Sequence, residues 1–271
     1  NYLSTYYRIQ NCWNVLPMRR LIMSSININF NLDDTISAPW RKSYGKVPPH
    51  LEYPDRTMFE QIEYTAGQYP DQPAYEFMGK TTTYREFVSQ IRRAARAYAA
   101  LGIKEDERVT VCMPNCPQAI ITFYALNLAG VIANMIHPLS SEGEIIFYLD
   151  ESESVAVLTL DQFYPKFVEI AKTHPVPKLI IASVGDALSP LKRLGYKLTA
   201  GRKIAKVPTT DKNVILWNDL LALGDSYDRP YAVKRKATDP AVILYSGGTS
   251  GKTKGILLSN LNFNALALQT I

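Results

Sequence analysis

From Thr57 onward the apolar positions alternate between two spacings, three-to-four and two, and the alternation predicts the fold. Phe59, Ile62 and Thr65/Ala66 share one face of a helix over Met58 to Gln68, with Thr57 placed to cap it. Ala74 to Phe77 and Thr81 to Thr83 flank Gly79 as a hairpin. Tyr84, Phe87, Ile91, Ala94/Ala95 and Tyr98 then recur at helical spacing, and Gly102 sits where such a helix stops. Beyond it the chain reads strand Val109 to Met113, helix Gln118 to Leu128, strand Val131 to Ile136, helix Glu142 to Leu149. The rhythm continues with strand Val155 to Leu160, helix Tyr164 to Lys172 and strand Leu179 to Ala182, and it resumes with helix Trp217 to Leu223 and strand Ala241 to Tyr245. Strands that alternate with helices predict parallel βαβ units, an α/β fold, and no short-period repeat points to a solenoid.

Two stretches depart from this rhythm. Val109 to Ser141 contains no Asp, Glu, Lys or Arg and is long enough to span a bilayer. Pro114, Pro117, Asn127, Gly130, Asn134 and Pro138 divide it into pieces of helix and strand length, as expected for elements buried on both faces of a parallel sheet. Gly185 to Pro208 carries Lys192, Arg193, Lys197, Arg202, Lys203 and Lys206 against a single Asp186, with Leu188, Leu191, Leu194 and Leu198 three to four apart. The favoured reading is a solvated helical hairpin. The alternative is a basic amphipathic helix making peripheral membrane contact through residues 188–206.

Residues 1–38 are rich in Asn and Ser, show no apolar period and are expected to be an irregular leader outside the core, with Met18 or Met23 as the natural start. Arg19 and Arg20 precede only Leu21-Ile22-Met23, short of the roughly 7–15 apolar residues of a secretory signal. Trp40 to Tyr53 reads as an extended, proline-bearing arm.

Composition narrows the function classes. Hydrophobic residues are 46% and charged residues 20%, which suits a folded domain. The net charge of +5 is mild and forms no clustered face for nucleic acid. Cys12, Cys112 and Cys116 supply neither a disulfide framework nor a zinc set, which suggests inert thiols in a reducing, cytoplasmic setting. His50, His137 and His174 are scattered, so no protein metal site is expected.

The chemistry is concentrated in one loop. Tyr245-Ser246-Gly247-Gly248-Thr249-Ser250-Gly251-Lys252-Thr253-Lys254-Gly255 follows the apolar run Ala241 to Leu244. Its glycines let successive N–H groups turn inward, its hydroxyls donate to phosphate oxygens, and its lysines supply positive charge; polyphosphate is the ligand such a set fits. A plain Gly/Ser/Thr turn is the bland alternative. Ser246 to Thr253 also approaches the G-x-x-x-x-G-K-[ST] loop of a Walker A NTPase, with Ser246 where that pattern has glycine. Gly255 and the short apolar run Ile256 to Leu258 argue for strand–loop–strand instead, with a helix only after a cap at Ser259 or Asn260.

Tyr245 to Asn262 resembles the phosphate-loop signature of the adenylate-forming superfamily: Y-[TS]-[SG]-G-T-[TS]-G-x-P-K-G-V, two residues, then [TS]-H-x-N. Tyr245, Ser246, Gly248, Thr249, Ser250, Gly251, Lys254, Gly255, Ser259 and Asn262 match, while Thr253 stands for the usual proline and Asn260 for the usual histidine. Upstream, Thr81 to Leu101 and Asn127-Leu128-Ala129-Gly130 with Pro138-Leu139 resemble earlier family segments. The resemblance implies that residues 39–271 are the first part of an AMP-binding domain, most like a long-chain fatty-acid CoA ligase. In such enzymes a carboxylic acid attacks the α-phosphate of Mg2+-bound ATP and the acyl group then passes to coenzyme A. It implies that Ser246, Thr249, Ser250 and Lys254 grip the β- and γ-phosphates, and that Gly247, Gly248, Gly251 and Gly255 allow close backbone approach. The adenine and ribose contacts, the acidic support for Mg2+ and the catalytic lysine fall beyond Ile271, so no catalytic residue is assigned. A truncated nucleotide-binding or non-functional module is the other reading.

Overall fold

The structure, a computed structural model, describes residues 42–48, 51–204, 207–208, 211–247 and 253–270. The expected leader lies outside these residues, as do Gly248 to Lys252. In chain order the elements are α1 (Met58–Gln68), β1 (Pro73–Phe77), β2 (Lys80–Thr83), α2 (Tyr84–Ala100), β3 (Arg108–Cys112), α3 (Pro117–Leu128), β4 (Ile132–Ile136), α4 (Glu142–Ser152), β5 (Ala156–Leu160) and α5 (Tyr164–Ile170). They continue with β6 (Lys178–Ala182), α6 (Val184–Ala187), α7 (Pro190–Leu198), β7 (Val214–Leu216), α8 (Trp217–Asp225), β8 (Pro240–Ser246), β9 (Lys254–Ser259) and α9 (Asn260–Gln269).

One sheet runs β7-β6-β5-β3-β4-β8-β9, parallel throughout except that β8 and β9 pair antiparallel. β1 and β2 form a separate hairpin. Successive residues of a strand point to opposite faces, and the two faces are filled by different helices. Leu158 and Ile180 pack with Ile91, Tyr98, Leu126 and Leu220 of α2, α3 and α8, whereas Val157 and Ile181 pack with Ile145, Leu149, Phe167 and Ile170 of α4 and α5. The long uncharged stretch is therefore β3, α3 and β4 of a covered sheet. Among the described residues no helix is long and apolar enough to cross a membrane.

Local chemistry fixes the helix starts. Thr57, Thr83 and Ser141 each accept a bond from the backbone N–H three residues on, and Glu60, Glu86 and Glu144 each accept one from the cap's own N–H. Each reciprocal pair satisfies two backbone donors that the helix leaves open. On the opposite side of the sheet from α4, α8 crosses α2 so closely that a Cβ at Gly224 would lie 2.7 Å from both Arg93 O and Ala97 N. Gly224→Ala, worth a gain of about 1 kcal/mol in an open helix, is expected here to cost about 1–3 kcal/mol by overpacking. Urea unfolding of the variant reads the sign directly.

Two features differ from the sequence reading. The predicted strands omitted β7, a three-residue, half-buried edge strand beside β6. The basic excursion forms a helix, α7, but Leu191, Leu194 and Leu198 face solvent while Leu188 is buried before its start. No residue of α7 is buried and Lys192, Arg193 and Lys197 are exposed, as a solvated helix requires; what the spacing alone does not say is that the leucine face is exposed as well.

Candidate phosphate-binding site

The glycine-rich loop is the mouth of the β8–β9 hairpin. Ser246 pairs with Lys254, Tyr245 with Gly255 and Leu244 with Ile256 in antiparallel register. β8 also lies parallel to β4, with Asn134 opposite Ile243, so the loop leaves the carboxyl end of a strand embedded in the parallel sheet. Ligands of open α/β sheets collect at that edge. The loop returns as a strand, and α9 begins only at Asn260, capped by Ser259, whose Oγ accepts from Asn262 N while Asn262 Oδ1 accepts from Ser259 N at 2.9 Å. A Walker A loop opens directly into its helix; this one does not, and that rival reading is excluded.

Of the predicted contact residues, Ser246, Gly247, Lys254 and Gly255 are described, and Gly248, Thr249, Ser250 and Gly251 lie outside the described residues. Ser246 is half-buried and Lys254 exposed at the two feet of the loop. Tyr245 anchors the base. Its hydroxyl donates to Tyr148 O at 3.3 Å, its ring lies 4.2 Å from that of Tyr148 on α4, and burial, with Glu151 and Tyr148 nearby, pushes its pKa up to about 12. A Cβ at Gly255 would sit 3.3 Å from the Tyr245 ring, tight enough to displace it. Gly255 thus leaves the Tyr245 ring the room it occupies.

Below Tyr245 runs a buried polar network that the sequence reading missed. Asn134 Nδ2 donates to Thr110 Oγ1 at 2.7 Å and to Ser152 Oγ at 2.9 Å, and Thr110 Oγ1 donates to Ser154 Oγ at 2.7 Å. Its signal was present as Thr110 and Asn134 inside strands otherwise apolar. Asn260, which stands where the family signature has histidine, is 1% exposed and fully bonded inside the protein. Its Oδ1 accepts from Met58 N at 3.1 Å and Asn127 Nδ2 at 2.7 Å, and its Nδ2 donates to Lys236 O at 3.2 Å and Asp239 O at 3.3 Å.

Burial pushes the Cys112 thiol up to about 12 and the Cys116 thiol to about 11, so neither supplies a thiolate near neutral pH. Among the described residues no three His, Cys, Asp or Glu side chains converge, and no Mg2+ ligand set is assigned to this chain.

A family model described as AMP-binding enzyme matches residues 62–271. The chain is 29% identical over 232 residues to the long-chain-fatty-acid–CoA ligase of Bacillus subtilis, covering 84% of this chain and 41% of that protein. It is 30% identical over 234 residues to the ligase of the same name from Salmonella typhimurium, with 83% and 41% covered. Among solved structures, a long-chain-fatty-acid-CoA ligase from Archaeoglobus fulgidus superposes with TM-score 0.62 at 22% identity, over 82% of this chain and 40% of that one. An anthranilate CoA ligase in complex with anthranoyl-AMP gives 0.63 at 16% identity, over 79% and 36%. These two share the fold. The chain spans about 41% of the length of the curated relatives it matches. With its strand–loop–strand phosphate signature and a family match over most of its length, the chain belongs to the AMP-binding enzyme family.

Proposed function

We propose that this chain is the triphosphate-holding part of an ATP-dependent acid–thiol ligase that activates a fatty acid as acyl-adenylate and passes it to coenzyme A. The observation that carries the reading is the β8–loop–β9 hairpin, which brings Ser246 and Lys254 opposite each other at the carboxyl edge of the sheet. The names of the relatives support the substrate class.

In this mechanism the acid's carboxylate oxygen bonds to the α-phosphorus and pyrophosphate leaves; the thiol sulfur then bonds to the acyl carbon and AMP leaves. The chain's part is to hold the leaving pyrophosphate in line and to stabilise its growing charge. Lys254 supplies a cation, and the hydroxyls of Ser246, Thr249 and Ser250 donate to the β- and γ-phosphate oxygens. Gly247, Gly248 and Gly251 admit the phosphates to the backbone N–H groups. Bound Mg2+ supplies further neutralisation of the triphosphate. A cytoplasmic setting, with peripheral membrane contact, belongs to the same proposal.

ATP–pyrophosphate exchange tests the division of labour. The 271-residue chain by itself is expected to bind nucleotide weakly and give no exchange, and a ligase of its relatives' length carrying this segment is expected to give exchange dependent on fatty acid. Clear exchange by the 271 residues alone would show that the chain holds its own catalytic groups. A second reading, a nucleotide-binding module without turnover, is favoured if the longer protein binds ATP and still fails to exchange.

A further inference from the structure

The carboxyl edge of the sheet carries one more hydrogen-bond donor beside the phosphate loop. β4 and β8 run parallel, with Ala133 opposite Val242 and Asn134 opposite Ile243. Two residues on, that register brings Ile136 level with Tyr245, and both belong to one apolar cluster. One residue further it brings His137 level with Ser246, a strand spacing of about 4.8 Å away. Ser246 in turn stands opposite Lys254 of β9. His137, Ser246 and Lys254 therefore form a row across the ends of β4, β8 and β9, which are neighbours in the sheet.

The segment after β4 is tied down on both sides of this histidine. Leu139 N donates to His137 Nδ1 at 3.2 Å, and Ser140 N donates to His137 O at 3.1 Å. From α5, Lys166 Nζ donates to Pro138 O at 3.1 Å and to Ser140 O at 2.6 Å, and Ser141 then caps α4. A ring nitrogen that accepts a hydrogen bond carries no proton, so the proton of the neutral imidazole sits on Nε2. His137 is exposed, and among the described residues no carboxylate pairs with it. Its Nε2–H is a donor at the ligand edge of the sheet.

We propose that His137 is a further phosphate-contacting residue, donating from Nε2 to an oxygen of the nucleotide's triphosphate beside Ser246 and Lys254. A polyphosphate laid across the strand ends meets all three donors, and a hydrogen bond to a charged phosphate oxygen is of the stronger kind. The inference rests on the phosphate-site reading of the β8–β9 hairpin and needs no acid chemistry.

The test is therefore binding, measured without acid or turnover. In the intact chain with isotope-labelled histidine, inorganic tripolyphosphate is expected to move the ring-nitrogen resonances of His137, assigned through His137→Gln, and to leave those of His174 in place. In a ligase of the relatives' length carrying this segment, calorimetry compares MgATP with adenosine. His137→Ala should weaken MgATP binding about tenfold or more, the loss expected for one hydrogen bond to a charged group, with adenosine binding unchanged. Two conservative variants separate contact from scaffold. His137→Gln keeps an N–H near the place of Nε2 and should bind MgATP within about threefold of the parent. His137→Asn is too short for that donor, keeps only an acceptor for Leu139 N, and should bind as weakly as the alanine variant. Tripolyphosphate that leaves the His137 resonances in place, an asparagine variant that binds like the parent while the glutamine variant does not, or a loss shared by adenosine would each overturn the proposal. A ligase that binds MgATP in the expected pattern and still gives no acid-dependent exchange would count against acid activation while upholding the role of His137.

Discussion

Alanine at Lys254 is expected to lower kcat/KM for acyl-adenylate formation by about 10²- to 10³-fold in the proposed ligase that carries this segment, the range found when one donor to a developing oxyanion is removed. Its stability should change by less than about 0.5 kcal/mol. Lys254 is exposed, and its structural contribution is a backbone pairing with Ser246 that alanine retains. Lys252 provides the comparison. In a Walker A arrangement the lysine after the last loop glycine would carry the phosphate contact, which here is Lys252. In the proposed hairpin arrangement the phosphate contact is assigned instead to the lysine at the foot of the returning strand, Lys254. Pyrophosphate exchange by the two alanine variants side by side separates these. A loss confined to Lys252→Ala would overturn the assignment of Lys254 to the phosphates.

How much of this was legible in the sequence depends on which physical signal each feature leaves. α2 and the central strands were readable because burial imposes a period, three-to-four for a helix packed on one face and unbroken apolarity for strands covered on both. Helix starts were readable to a residue at Thr57, where the cap and its returning glutamate are three apart. β7 left no such signal, since three half-buried residues at a sheet edge satisfy either period. The outward turn of Leu191, Leu194 and Leu198 was hidden for a different reason. It goes with Lys192 and Arg193 donating to backbone carbonyls at Met78, Gly185 and Asp186, contacts that no local pattern encodes. At the site, the loop's composition carries the polyphosphate expectation, whereas the Tyr245–Tyr148 packing and the Asn134 network beneath it are pairings between elements distant in sequence.

Asn260 shows the same limit with the largest consequence for stability. Three elements meet at its side chain: the start of α1, the end of α3 and the start of α9. Met58 N and Phe59 N are among the backbone donors that α1 leaves open, and they are satisfied by Asn260 Oδ1 and Asn127 Oδ1, the latter at 2.9 Å. Asn260→Ala leaves Met58 N and Asn127 Nδ2 buried without that acceptor, and the carbonyls of Lys236 and Asp239 without that donor. At roughly 1–3 kcal/mol for each unsatisfied group, and allowing some rescue by water, a loss of about 3–5 kcal/mol is expected in chemical denaturation. Asn127→Ala should cost a similar amount, and because both variants break one shared bond the double variant should fall short of their sum by at least about 1 kcal/mol. Histidine at position 260 separates this reading from a catalytic one. If Asn260 were a degraded site residue, Asn260→His would raise adenylate formation. A neutral imidazole has one donor and one acceptor and cannot serve two donors and two carbonyls at once. The variant is therefore expected to unfold earlier than the parent and to gain no activity, and a stable, faster Asn260→His ligase would refute the structural role.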